Sequence, residues 1–135
     1  MQKRSGAIIL KDSKILLMFR KREDGRKYYV LPGGTVEPNE SLVDTLKREL
    51  KEECNLDIIP DKIEIKFINT KDNREHNYFS ILKYYGEIKL GGPELDENST
   101  ERYYKLLWTE ISKLHEIKLK PDALKIKLID YLNYK

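Results

Sequence analysis

Residues 34–56 read GTVEPNESLVDTLKRELKEECNL, and this stretch decides the fold because a helix and its chemistry are written on it together. Ser41 with Asp44 three residues on has the spacing of a capping box, and apolar residues then recur at Leu42, Val43, Leu46, Leu50 and Cys54. That recurrence predicts an amphipathic helix. Successive helical residues turn by about 100°, so Glu49, Glu52 and Glu53 share a face. Taking Leu42 as zero, Leu46, Leu50 and Cys54 fall near about 40°, 80° and 120°, while Glu53, Glu49 and Glu52 fall near about 20°, −20° and −80°. The acids therefore border the buried stripe. Like charges so placed destabilise a helix by roughly a few tenths of a kcal/mol per pair, and by more where partly desolvated, unless a cation offsets them. Hard carboxylate oxygens suit Mg²⁺, which keeps waters and bridges to phosphates. The bland alternative is a surface helix on which Lys47, Arg48 and Lys51 pair with the glutamates. The helix by itself leaves both open.

Immediately upstream, Leu31-Pro32-Gly33-Gly34 places bare, conformationally free backbone ahead of the acidic face, so a backbone carbonyl can join a metal site. Farther out, Ser5–Leu10 and Ile15–Arg20 are apolar runs joined by Lys11–Lys14, which predicts two antiparallel strands and a tight turn. Lys21–Lys27 with Gly25 reads as a loop, Tyr28–Leu31 as a short strand stopped by Pro32, and Gly33–Glu40 as a second loop. Past the helix, Ile63, Ile65 and Phe67 alternate with Lys62, Glu64 and Lys66, a half-buried strand. A further strand runs from about Asn77 to Tyr85 and on through Ile88 and Leu90, until Gly91, Gly92 and Pro93 break it. Glu94–Glu101 reads as an acidic loop, Tyr103–Trp108 as a strand, Ile111–His115 as a short helix, and the stripe Leu124, Leu128, Ile129 and Leu132 as a closing helix behind Pro121. The expectation is one domain over residues 1–135, of α/β class, with a mixed and largely antiparallel sheet covered by helices.

Composition narrows the class. A 135-residue chain can bury a core without disulfides or a structural metal. Its charged fraction of 36% comes with 39% hydrophobic residues, which argues against disorder. A net charge of +3 with interspersed signs gives no case for specific nucleic-acid binding. Cys54 is the single cysteine, so no internal disulfide forms; a buried apolar role and a reducing, cytoplasmic setting are expected. No apolar run approaches a membrane span or a signal-peptide core, which implies a soluble protein without a membrane partner.

With Gly34, Glu40, Arg48, Glu49, Leu50, Glu52, Glu53 and Leu56 in place, the stretch resembles the Nudix hydrolase box, Gx5Ex7REUxEExGU, where U is aliphatic. The one departure is Asn55 at the last Gly position, and Asn is the next-best residue for a left-handed helix terminus. The resemblance implies an α/β/α sandwich whose box loop and helix carry the metal site. It implies Mg²⁺-dependent hydrolysis, with Mn²⁺ as a substitute, of a diphosphate bond in a nucleoside diphosphate linked to another group. Carried over by box position, Glu52 and Glu53 would be metal ligands, Glu49 and the Gly33 carbonyl would be further ligands, and Glu49 would also be a candidate general base, a role on which families within the superfamily differ. Arg48 would orient the carboxylates, and Glu40 would steady the loop or hold a second cation. Family members often draw another ligand from a late acidic loop, where Glu94, Asp96, Glu97 and Glu101 lie; Glu97 is the choice. The family also leaves room for a homodimer.

Outside the box, Arg20, Lys21, Arg22, Arg26 and Lys27 crowd the segment before the Gly-Gly turn, where they are candidates for gripping substrate phosphates or simply a solvated loop. Tyr28, Tyr29, Tyr78, Tyr103 and Tyr104 suit cross-strand packing better than base stacking. Trp108 is expected in the core, and His76 and His115 as surface or structural histidines. Two other functions compete: a catalytically silent metabolite-binding or regulatory Nudix domain, and an isomerase of the same fold. Intact Glu49, Glu52 and Glu53 weigh against the first, and Cys54 lies in the wrong place for the second. The substrate reading leans to nucleoside triphosphates or related nucleotides. Pro60, only four residues past Leu56, does not sit where ADP-ribose enzymes of the family often carry a proline.

Overall fold

The structure, a computed structural model, describes residues 1–88 and 103–133. In chain order its elements are β1 (Gln2–Ile8), β2 (Leu10–Lys11), β3 (Lys14–Lys21), β4 (Lys27–Val30), β5 (Gly33–Thr35), α1 (Leu42–Cys54), β6 (Asp57–Asn69), β7 (Arg74–Tyr85), β8 (Tyr103–Glu110), a 3-10 helix (Ile111–Glu116) and α2 (Asp122–Asn133). They divide into two compact units, Met1–Ile9 with Pro32–Ile88, and Leu10–Leu31 with Lys89–Lys135.

The first unit is a sheet in the order β5-β1-β7-β6 with α1 packed on it. β1 runs antiparallel to β5 and parallel to β7, and β6 closes the sheet antiparallel to β7. Ser5, Gly6, Ala7 and Ile8 are all buried, so successive residues of this inner strand, which point to opposite faces, are out of water. α1 starts at Ser41, whose side chain accepts from the Asp44 N–H while Asp44 answers to the Ser41 N–H, the expected capping box. Leu46, Leu50 and Cys54 are fully buried along its inner stripe, and each leucine contributes roughly 2–3 kcal/mol by leaving water. The helix ends where Asn55 adopts the left-handed conformation, φ 59° and ψ 35°. Asn thus does at this terminus what glycine does more often.

The second unit centres on β3, which pairs antiparallel with β8 from Lys14↔Glu110 to Lys21↔Tyr103. β2 pairs with its beginning and β4 with its end. Ile15, Leu16, Leu17 and Met18 are buried in succession. Leu114 of the 3-10 helix and Leu124 and Leu128 of α2 are buried with them, and Phe19 packs on Tyr29 with ring centroids 5.2 Å apart.

The α/β class and the mixed, largely antiparallel pairing are as expected, but the strands form two sheets and several elements differ in detail. The predicted hairpin survives only as Leu10–Lys11 against Lys14–Ile15, because the chain leaves the first sheet after Ile8. An apolar run announces a strand and is silent about its partner. Gly33–Thr35, read as loop, is a strand: glycine has low β-propensity, and pairing with β1 overrides it. β6 is far longer than Ile63–Phe67, and register shifts at Pro60 and Ile63 interrupt it. Those shifts turn Ile63 partly outward and hide the first half of the strand from a period-two reading. β7 stops at Tyr85 because Gly86 takes a φ of +114°. Leu90, the Gly91-Gly92-Pro93 break and the acidic loop from Glu94 to Glu101 lie outside the described residues. Trp108 is half-buried rather than in the core, with the Lys11 ammonium 5.8 Å from its ring centre.

Candidate active site

Arg48 is the hub of the acidic edge of α1. Its Nε and Nη2 donate to the two oxygens of Glu40 at 2.7 and 3.0 Å, a two-pronged pair. Nη1 donates to Glu49 Oε1 at 2.8 Å and lies 3.8 Å from Glu52 Oε2, one helical turn on. Nη2 also makes a long, 3.5 Å contact to the Thr35 carbonyl in β5. Glu40 is fixed from every side, accepting in addition from the Thr45 hydroxyl at 2.8 Å and the Glu37 N–H at 3.0 Å. The Arg48 guanidinium, helped by the Glu37 N–H and the Thr45 hydroxyl, holds the Glu40 carboxyl at about 2, and Arg48 in turn is held more strongly protonated by Glu40. Glu40 steadies the loop, one of the two roles expected for it.

The two glycines ahead of the helix are required for different reasons. Gly33 has a φ of +152°, and a Cβ there would run into the Ser5 carbonyl oxygen of β1. At Gly34 a Cβ would lie 2.6 Å from Glu49 Oε1, so a side chain there would force the Glu49 carboxylate to move. The Gly33 N–H donates to Glu53 Oε1 at 3.1 Å. Backbone and carboxylates therefore meet closely enough that one extra carbon would separate them.

These contacts bring Gly33, Arg48, Glu49, Glu52 and Glu53 together at the junction of β5 and α1. Glu49 is largely buried, with 17% of its side chain exposed, and Glu52 is open at 62%. Among the described residues, no three His, Cys, Asp or Glu side chains are gathered tightly enough to hold an ion between them. The donor set is nevertheless that of a hard divalent cation: clustered carboxylates on one helix edge, beside backbone kept bare by two glycines. The residue types suit such an ion although their side chains are not gathered about one point, and the contact formed at Gly33 is through its amide. Glu97 lies outside the described residues.

Arg20, Lys21, Arg22, Arg26 and Lys27 belong to the β3–β4 hairpin, where Arg20 faces Tyr28 and Lys21 faces Lys27 in register. Its turn is closed by Gly25 N–H to Arg22 and Arg22 N–H to Arg26. Arg26 is paired with Asp24 at 2.7 Å, which ties its charge to its own turn. Cys54 is buried and its thiol is pushed up by desolvation, the apolar role expected. His115 is exposed, and His76 is buried in a structural network.

Thr45, Thr35 and Arg74 escaped the sequence reading. Thr45 donates to Glu40, and Thr35 receives Arg48 on its carbonyl and Arg74 on its hydroxyl at 3.0 Å. Thr45 left one trace, a polar residue beside Leu46 on the apolar stripe. The other two left none, because only pairing across strands brings them together. Among the described residues no helix is long and apolar enough to cross a membrane.

The chain is similar to several known proteins. Over 49 residues the chain is 47% identical to an ADP-ribose pyrophosphatase from Methanocaldococcus jannaschii, a match covering 36% of this chain and 29% of that one, so it spans less than a third of that relative's length. Among solved structures, the E. coli ORF135 protein superposes with a TM-score of 0.76 at 23% identity, over 99% of this chain and 89% of the other. A MutT NUDIX hydrolase from Burkholderia pseudomallei gives 0.71 at 21% identity, over 93% and 95%. These structural likenesses establish the fold. The model of the NUDIX domain matches residues 1–128, and the chain belongs to the Nudix family.

Proposed function

We propose that residues 1–135 act as one Nudix domain that hydrolyses a diphosphate bond in a nucleoside diphosphate linked to another group, a nucleoside triphosphate or related nucleotide being favoured. The observation that carries this reading is the β5–α1 junction, where Arg48 holds Glu49 and where Glu49 and Glu53 are set closely against the Gly33-Gly34 backbone. The family generally uses divalent metal ions, and Glu49, Glu52, Glu53 and the Gly33 carbonyl, with Glu97 from the late loop, are the proposed ligands for Mg²⁺ or, as a substitute, Mn²⁺. A bound divalent ion supplies neutralisation of phosphate oxygens and an acidified water.

The chain's own residues supply the rest. Glu49, nearly buried and held by Arg48, is placed to take a proton from an attacking water; a carboxylate in this role contributes on the order of 10²–10⁴-fold. Arg48 fixes the carboxylates by ion pairs to Glu40, Glu49 and Glu52. Arg20, Arg22, Arg26 and Lys27 are proposed to grip phosphates, on the strength of their charge and their nearness in sequence to Gly33. ADP-ribose is a second candidate of the same chemical type, favoured by the Methanocaldococcus jannaschii relative.

The deciding experiment is a panel of nucleoside triphosphates, including oxidised ones, dinucleoside polyphosphates, nucleotide sugars and ADP-ribose, assayed with Mg²⁺ and with chelator. Turnover that depends on the ion is expected on at least one. Silence on all would favour a metabolite-binding role in the same fold. Gel filtration tests the homodimer, and nucleotide is the expected partner.

A further inference from the structure

β5 is only three residues long and lies at the edge of its sheet, yet it carries both glycines against which Glu49 and Glu53 are set. Its pairing with β1 extends over Arg4↔Thr35, Ser5↔Gly34 and Gly6↔Gly33. A strand so short, with one partner, is held weakly by its own ladder. Its far end is tied twice, by the Val36 N–H, which donates to the Lys3 carbonyl at 2.8 Å, and by the side chain of Thr35. Arg74, at the start of β7 on the other side of β1, reaches across to give Thr35 Oγ1 a hydrogen bond of 3.0 Å from Nη1.

Arg74 is itself immobilised. Asp72 Oδ2 accepts from its Nε at 3.2 Å and pairs with its Nη2 at 3.2 Å, while Asp72 Oδ1 accepts the Arg74 backbone N–H at 3.1 Å. Asp72 Oδ2 is in turn 2.8 Å from His76 Nε2, and His76 Nδ1 is 2.9 Å from the Tyr78 hydroxyl. With Asp72 ionised, Nε2 carries the proton donated to it and Nδ1 accepts from Tyr78. Phe67 stacks on His76 with ring centroids 5.3 Å apart and planes 6° from parallel. His76 and Tyr78 are each 1% exposed, so the far end of this series is locked in the core.

We propose that Arg74 is a positioning residue for the active site: braced by Asp72 and the buried His76–Tyr78 pair, it holds Thr35 and so sets β5, and with it the Gly33 amide, against Glu53. The inference rests on the reading of the β5–α1 junction as the reaction centre. It adds that part of that centre's geometry is set from the turn between β6 and β7, by residues with no contact to the carboxylates. A displacement of about 1 Å at a reacting group can cost on the order of 10²-fold in rate, so a brace of this kind has a kinetic signature.

The test uses the whole chain with Thr35→Val, Thr35→Ser, Arg74→Ala and Arg74→Lys. Hydrogen exchange of the Gly33 amide, whose acceptor is Glu53, reads the geometry without reference to turnover. Expected are faster Gly33 exchange by about tenfold or more in Thr35→Val and Arg74→Ala, a near-native rate in Thr35→Ser, and an intermediate rate in Arg74→Lys, which keeps charge and loses the fork. On the substrate found by the panel, kcat should fall on the order of 10–10²-fold in Thr35→Val with KM little changed. Free guanidinium should restore part of the kcat lost in Arg74→Ala. Circular dichroism and melting identify any variant that fails to fold, and Thr35→Val, which removes one hydroxyl from the surface of a short edge strand, keeps the question answerable in that event. Unchanged Gly33 exchange in a folded Thr35→Val would overturn the inference, as would faster exchange with unchanged kcat. If the wild-type chain turns over nothing, the proposed function fails and the exchange rates alone decide the brace.

Discussion

Two polar networks lie in the first unit, and they are built in opposite ways. One gathers around Arg48, and its members Glu40, Thr45, Glu49 and Glu52 lie within eight residues of it along the chain. The other runs from Thr35 through Arg74, Asp72 and His76 to Tyr78, and its first link joins residues 39 apart in sequence. The first is made by the pitch of one helix and the loop before it, the second by strand pairing across β5, β1 and β7. They meet at Thr35, one on its carbonyl and one on its hydroxyl. The local network holds charges in place and touches the facing strand at the Thr35 carbonyl, through a long contact of 3.5 Å. The second network reaches the same residue through its side chain, from across the sheet.

The sharpest way to break this comparison is at the carboxylates. Glu53→Gln is expected to abolish Mg²⁺-dependent turnover, read in the panel assay, while circular dichroism stays native; full activity would remove Glu53 from the proposed ligands. Next in size is Gly34→Ala. Its added carbon must displace Glu49, and kcat should drop by on the order of 10²-fold with the fold kept. A near-normal kcat would mean that the Glu49 carboxylate is not needed where it stands.

The second network should show itself in acid. Burial alone would raise the Asp72 carboxyl, but the hydrogen bonds from His76 and Asn69, together with Arg74, outweigh it and hold the group at about 2, below its ordinary 3.8. A carboxyl depressed on folding stabilises above its unfolded pKa and loses that contribution as pH falls toward its folded one. Between about pH 4 and pH 2.5 the unfolding free energy of the wild type, read from urea titrations, should therefore fall further than that of Asp72→Asn, by on the order of 1–2 kcal/mol after allowing for solvent screening. His76 adds an earlier step: burial lowers it from its ordinary 6.5, so stability begins to decline as pH drops below that value. Parallel curves for the two proteins would mean that Asp72 carries no share. Smallest of all is Tyr78→Phe, which leaves His76 Nδ1 without its partner and should cost about 1 kcal/mol in denaturant melts.

How much of this was legible depended on distance along the chain. The capping box at Ser41, the stripe Leu46–Leu50–Cys54, the left-handed Asn55 and the acidic edge of α1 could all be read, because a helix brings together residues three and four apart by its own geometry. Pairing of Arg48 with the glutamates was legible for the same reason, whereas an orienting role for it came from the resemblance to the box. The strand at Gly33–Thr35 was not, since glycines carry no strand signal and only β1 makes them pair. The full length of β6 was hidden by the irregularities at Pro60 and Ile63. The departure of β1 from the predicted hairpin was hidden too, because apolar alternation is the same whichever partner a strand takes.

The sequence by itself thus determined a helix with a carboxylate edge, its caps and the bare backbone ahead of it, all of them consequences of short-range stereochemistry. Only the tertiary structure decided why each glycine is needed, one against the Ser5 carbonyl and the other against Glu49, and how a three-residue strand is kept in place. Those depend on which strands lie side by side, and strand pairing joins residues that no spacing along the chain connects.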